Sequence, residues 1–220
     1  MSVTKEHFLG EGLLKVFPPP KFLTTPASGI DITDNAVRFL SLEQGRDWKP
    51  IKSWGYYEIP EGVIKDGKIL NKPALVKILK EIRKKHDAEF VHASLPEEQA
   101  YLFQSSVPNE TIDKEQLRTI IEFKLEENVP VPSRDLVFDY EAINKTAKEV
   151  QLNIVAYPYA VVSDYAEVLH GAGFKVLSFE TEGRSLVRAI VPRHHHGTYM
   201  IVDFGKMRTG IAIVHEEVLR

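Results

Sequence analysis

The 220-residue chain contains no cysteine, which excludes disulfide staples and thiolate metal ligands and agrees with a reducing compartment. It has no apolar run near the roughly 18 residues that a bilayer crossing needs, and its start lacks the basic, apolar and small-residue zones of a signal peptide. A cytoplasmic location is the expectation. Nor is there an excess of one charge. Lys plus Arg number 28 against 31 Asp plus Glu, and no segment is strongly basic, so nucleic acid is not an expected partner. What the chain does have is a hydrophobic content of 43%, enough to bury a sizeable core.

Three zones follow along the chain. In residues 1–28, "EHFLGEGLLKVF" carries Phe8, Leu9, Leu13, Val16 and Phe17 at helical spacing, and Pro18-Pro19-Pro20 stops it. This amphipathic segment on a tether suits a membrane surface, its own domain or a neighbouring molecule. From Gly29 the pattern becomes strands: "GIDI", a polar turn, "AVRFLSLE" and Ile51 to Ile59, an antiparallel meander. Pro73 opens a helix with Leu75, Ile78, Leu79 and Ile82 on one face, and "EFVHASLP" is a strand. "NIVAYP" leads into a helix with Val162, Tyr165 and Leu169 inward, closed by Gly173 as a left-handed cap. The strand "FKVLSFE" and a helix from about Thr181 to Ile190 come next.

Residues 97–150 have their own logic. A strand at Tyr101 to Val107 precedes a helix that Asp113 can cap with Gln116 three residues on, with Leu117, Ile120, Ile121 and Leu125 inward. "DLVFDYEAI" and "EVQLNIVAYP" then flank a polar loop, as in a hairpin. The expectation is a small strand–helix–strand–strand module whose last strand runs on into the larger sheet.

Two stretches match each other. "GIDITDNAVRFLSL" at 29–42 and "IVDFGKMRTGIAIV" at 201–214 both end a strand on an aspartate, turn tightly and begin a second strand, with Asp31 and Asp203 a fixed 172 residues apart. Turn amides can cradle phosphate oxygens, while a carboxylate can hold Mg²⁺ or its waters. Gly205 allows close backbone approach and Thr209 offers a hydroxyl. The competing account of each aspartate is an Asx-turn cap. "RHHHG" at 193–197 fits a solvated loop better than a metal site, because consecutive histidines cannot all face one ion.

These stretches, with "FPPPKFLTTPASGIDITDNAVRFLSL", "VHASLPEEQAYLFQSSVP", "IIEFKLEENVPVPSRDLVFDY" and "ETEGRSLVRAIVP", resemble the actin-like ATPase superfamily and, within it, the PilM family of type IV pilus assembly proteins, relatives of FtsA. The resemblance implies a mixed α/β fold: an actin-like (ribonuclease H-like) half carrying the inserted module. Its parts would be the helix and tether 1–28, the main subdomain 29–96 with 151–197, the insert 97–150, and the incomplete start of a second half at 198–220. It also implies phosphate binding by Asp31, Thr33, Asp34, Asn35 and Arg38 in the first turn and Asp203, Gly205, Lys206, Arg208 and Thr209 in the second. Asp31 and Asp203 would hold Mg²⁺ through water, and Glu180 would orient a hydrolytic water. Thr33 and Arg38 stand where the family has glycine and lysine, which favours ATP binding over fast hydrolysis. Glu180 is equally explained as a helix N-terminal acid.

By the same resemblance the chain is a cytoplasmic adaptor, held at the inner membrane through partners. It would dock the N-terminal tail of PilN and link the pilus platform to the motor. A small-molecule kinase and an FtsA-like filament-forming ATPase are the alternatives. The chain stops before the adenosine half of the cleft, so weak or absent ATP·Mg²⁺ binding is expected. An apolar patch including Ile201, Ile211 and Ile213 predicts self-association or a disordered C-terminal hairpin. The tail site is expected between the main sheet and the insert, with strands Tyr101–Val107 and Leu136–Ile143 and helix Leu117–Leu125 as its nearest walls.

Overall fold

A computed structural model describes residues 27–43, 50–109, 114–192, 197–206, 208–216 and 218–220. The N-terminal amphipathic segment, the Asp113 cap and the histidines of 194–196 lie outside them.

Strands β1 (Ala27–Ile32), β2 (Ala36–Leu42) and β3 (Ile51–Glu58) form the expected meander. After it come the short pair β4 (Ile64–Lys65) and β5 (Lys68–Ile69). Helix α1 (Lys72–His86) follows, then β6 (Phe90–Leu95), and later β10 (Lys175–Thr181). β6 joins β1 in parallel and β10 joins β6, giving a five-stranded sheet in the order β10-β6-β1-β2-β3. The strand β1 begins at Ala27, two residues before the expected start.

One face of this sheet is apolar by alternation: Ile30, Ile32, Val37, Phe39, Val91, Ala93 and Leu95 are all buried. Two helices cover it. Asn71 caps α1 by accepting the Ala74 amide at 3.1 Å, Pro73 sits in its first turn, and Leu75, Leu79 and Ile82 go into the core. Helix α3 (Tyr159–Gly171) contributes Tyr165, Val168 and Leu169, and Gly173 follows it at φ +89°. Each such buried aliphatic stabilises the fold by about 1.5–3 kcal/mol. The opposite face of the sheet carries Asp31, Arg38, Leu40, Trp54 and His92, and only part of it is covered.

The inserted module holds β7 (Tyr101–Pro108), α2 (Lys114–Asn128), β8 (Leu136–Lys145) and β9 (Glu149–Pro158), with sheet order β7-β9-β8. Val107, Ile121, Leu125, Leu136, Leu152, Ile154 and Ala156 form a core of its own. The expectation that its last strand enters the larger sheet is corrected: β9 pairs β7 on one side and β8 on the other, from Glu149 to Pro158. With both edges occupied it has no free backbone groups to offer a third strand. Its other face meets the main domain, where Tyr157 is buried and donates to the Leu95 carbonyl at 3.4 Å.

After α4 (Glu182–Ile190), strands β11 (Thr198–Phe204), β12 (Thr209–His215) and β13 (Val218–Leu219) form a separate antiparallel sheet. It rests on α4 through a small cluster of Val187, Val191, Ile201 and Val214. Ile201, expected in an exposed patch, is therefore buried, because its position in the two-residue alternation faces α4. Ile211 (68% exposed) and Ile213 lie on the open face, beside Met200, Val202 and Phe204.

Candidate functional site

The two aspartate hairpins have the same register. Asp31 pairs Arg38, Gly29 pairs Leu40, Asp203 pairs Gly210 and Ile201 pairs Ala212, so a displacement of 172 residues maps each of these pairs of the first hairpin onto one of the second. Both turns line one cavity of about 260 Å³, the first through Thr33, Asp34, Asn35 and Arg38, the second through Asp203, Gly205, Lys206 and Arg208. Asp31 and Asp203 line the adjoining cavity together with Glu180. Thr209 lies opposite Phe204 at the start of β12, is exposed, and lines neither cavity.

Each side chain has definite partners. Asp31 accepts from Arg38 Nη1 at 2.7 Å and from Ser94 Oγ at 2.5 Å. Asp34 lines the cavity and is already engaged: its carboxylate accepts the amides of Asp66 and Gly67 at 2.8 and 3.0 Å, fixing the β4–β5 turn to the first hairpin. Thr33 closes its own turn onto Asn35 and the Ala36 carbonyl. The Asn35 amide nitrogen is buried with no hydrogen-bond partner among the described residues. Gly205 donates its amide to the Arg208 carbonyl at 2.9 Å, and a Cβ there would lie 2.8 Å from that oxygen, so the tightness of the turn requires glycine.

Glu180 stands within β10, one residue before the Thr181 cap of α4, rather than in the helix. Arg188 Nη1 donates to it at 2.6 Å and Ser185 Oγ at 3.4 Å.

Sequence reasoning missed three carboxylates that shape the cleft, Glu97, Glu98 and Glu182. Glu182, in the first turn of α4, lines both cavities, and burial followed by the nearby Asp31 charge pushes its carboxyl up to about 7. Glu97, whose carboxyl burial also raises, accepts the Gly183 amide at 3.3 Å. A Cβ on Gly183 would come within 2.7 Å of that oxygen. Arg208 bridges Glu98 and, at 3.4 Å, Glu182, tying the second hairpin to the start of the insert. The available signal was "LPEEQ" and "ETEG", acids beside strand ends, but only tertiary packing shows that they meet.

The smaller cavity is lined by five carboxylates (Asp34, Asp66, Glu97, Glu182, Asp203) and three cationic side chains (Arg38, Lys206, Arg208). Bare phosphate would meet net repulsion there. Among the described residues no three Asp, Glu or His side chains are arranged to hold a metal ion directly. The donor set suits Mg²⁺ carried in on phosphate and contacted through water, as that ion's reluctance to dehydrate favours.

A further groove, of about 380 Å³, separates the face of the module sheet opposite α2 from α4 and β13. Leu102, Val155, Val187 and Leu219 give it apolar walls, and Asn153, Arg184 and Glu141 give it polar points. Arg184 donates to Glu141 at 2.7 Å, and Asn153 to the Leu219 carbonyl at 2.6 Å. Helix α2 packs on the other face of the module sheet through Ile121 and Leu125.

No curated protein matches the sequence in a direct comparison. Among solved structures, one described as a PilM–PilN type IV pilus biogenesis complex superposes with a TM-score of 0.78 at 17% identity, covering 89% of this chain and 60% of that one. The cytoplasmic domain of EpsL, an inner-membrane component of the type II secretion system of Vibrio cholerae, gives 0.58 at 14%, covering 87% and 68%. This chain therefore spans about 60% of the length of the first of these. At such identities the superpositions establish a shared fold alone. The family model described as type IV pilus assembly protein PilM matches residues 29–219, and the chain belongs to that family.

Proposed function

We propose that the chain is a docking adaptor of type IV pilus assembly, holding an extended tail of a PilN-like inner-membrane partner in the groove between the module sheet and α4. One observation carries this reading: the module and the α4–β13 unit, each with a core cluster of its own, meet at a groove with apolar walls and polar points. An extended peptide needs that combination, because apolar pockets select its side chains while polar groups satisfy its backbone. The solved relative described as a complex with PilN supplies the class of partner. Strands β7 and β8 are its walls in this reading, through Leu102 and Glu141, whereas α2 stands behind them. The insert 97–150 is then the docking subdomain and 198–220 the second phosphate hairpin.

The cleft between the two turns is the proposed nucleotide site, taking ATP with Mg²⁺ weakly. Its support is the shared register, the unpartnered Asn35 amide and the cationic Arg38, Lys206 and Arg208. Bound Mg²⁺ would supply the charge that lets phosphate sit among carboxylates, with Asp31 and Asp203 contacting its waters. Glu180 is engaged by Arg188, which favours slow or absent hydrolysis.

The test is a titration of the protein with a synthetic peptide of the partner's cytoplasmic tail, followed by NMR. Shifts at Leu102, Asn153 and Val187 are expected. Shifts confined to Asp31, Asp203 and Thr209 would overturn the docking site. Phosphate release stimulated by one member of a sugar panel would replace the adaptor reading with the kinase.

A further inference from the structure

The second face of the five-stranded sheet is half covered. Helix α4 lies over its β10–β6 side, placing Leu186 and Ala189 opposite Gly29 and Leu40 across a cavity of about 530 Å³. On the β2–β3 side nothing among the described residues covers Leu40 (41% exposed), Leu42, Ile51 and Trp54 (70% exposed). Trp54 is the cross-strand partner of Leu40, and Ile51 of Leu42, so these four form a continuous apolar strip along the strands. A soluble domain seldom leaves such a strip bare, and a tryptophan in its middle is its largest apolar contributor.

We propose that this trough is the docking site of the chain's own N-terminal segment, Phe8 to Phe17, laid as a helix beside α4. Three observations select this occupant. The first is the entry point. Strand β1 starts at Ala27, and the antiparallel register places that residue at the Leu42 and Ile51 end of the strip. The tether from Pro18 to Pro26 spans up to about 30 Å when extended, more than is needed to turn back onto the face beside β1.

The second is length. Ten helical residues cover about 15 Å, and the strip, continued past Trp54 to Tyr56 (47% exposed) two residues on along the same face, runs about 17 Å along β3. The third is composition. Phe8, Leu9, Leu13, Val16 and Phe17 fall on one side of such a helix, while Glu11 falls on the other. Gly10 and Gly12, together with the shortness of the segment, leave it too weak to hold a helix by itself. It gains order by burying its apolar side, and the strip gains the cover it lacks. The helix occupies the Gly29–Leu40–Ala189 part of the trough and leaves the Asp31–Asp203 end open.

The absence of cysteine makes the test clean. A nitroxide is attached to a Glu11→Cys variant of the full chain, and NMR intensities are compared before and after reduction of the label. The expected result is loss of more than half the intensity at the Leu40 and Leu42 amides and the Trp54 indole. That loss is independent of protein concentration and is abolished by adding Leu9→Glu with Leu13→Glu. Unchanged intensities at those three sites overturn the proposal, as does broadening centred on Phe204 and Ile211. Labelled chain mixed with isotope-enriched, label-free chain covers the remaining case. Broadening that arises only between molecules would assign the trough to a second copy instead.

Discussion

Arg208, in the turn between β11 and β12, forms an ion pair with Glu98, at the start of the insert, and reaches Glu182 of α4 at 3.4 Å. One guanidinium thus links the turn of the second hairpin, the start of the insert and α4. Substitution of Arg208 by alanine is expected to lower the melting temperature by roughly 2–4 °C, the effect of about 1 kcal/mol in a domain of this size. Its signature is faster amide exchange in β11 and β12, with no change in β1, β6 or α1. Uniform acceleration across all elements would show that the link is not local.

Glu182 gives the cleft a pH dependence. Its folded carboxyl is raised to about 7 from the ordinary value of 4.5, so the folded state holds a proton that the unfolded state releases. The stabilising contribution is full below about pH 4.5 and is lost as pH rises towards 7. Glu182→Gln should therefore match the parent near pH 5 and melt roughly 2–4 °C above it at pH 8, about 1 kcal/mol after allowance for partial exposure. Thermal melts across that range check it, and a pH-independent difference would contradict it.

Nucleotide binding should be feeble. Calorimetry with ATP and Mg²⁺ is expected to give a Kd weaker than about 1 mM, or about −4 kcal/mol. Tight Mg²⁺-dependent binding would contradict this. If binding is detectable, Asp203→Asn should weaken it, while Thr209→Ala, exposed outside both cavities, should leave it unchanged.

The groove reading makes a separate demand. Leu102→Glu is expected to reduce tail-peptide affinity at least about tenfold, or roughly 1.4 kcal/mol, without altering the far-ultraviolet circular dichroism. Phe123→Glu, an exposed change on α2 behind the module sheet, should have no effect on peptide affinity. Equal effects from both would place the tail elsewhere.

The open face of the second hairpin supplies the last prediction. Met200 pairs Ile213 and Val202 pairs Ile211, with Phe204 82% exposed at the end of the row. Sedimentation should show association that rises with concentration and is reduced by Ile211→Lys. A concentration-independent monomer would remove this expectation.

What the sequence determined by itself was local and periodic. Alternation in "GIDI" and "AVRFLSL" set the meander, Pro73 marked the first turn of α1, and the 172-residue spacing announced two hairpins whose registers coincide. Each depends on neighbours in the chain. The tertiary structure alone decided which acids meet at the cleft, because Glu97 and Glu98, from the turn after β6, and Glu182, from α4, approach Arg208 from distant parts of the chain. It also decided that Asp34 holds a second turn, that Ile201 is inside while Ile211 is outside, and that β9 stays within the module. The physical reason is common to all four. A side chain's polarity and period fix which face of its element it occupies, whereas what that face meets depends on how distant elements pack, and charge and burial at the site follow from that packing.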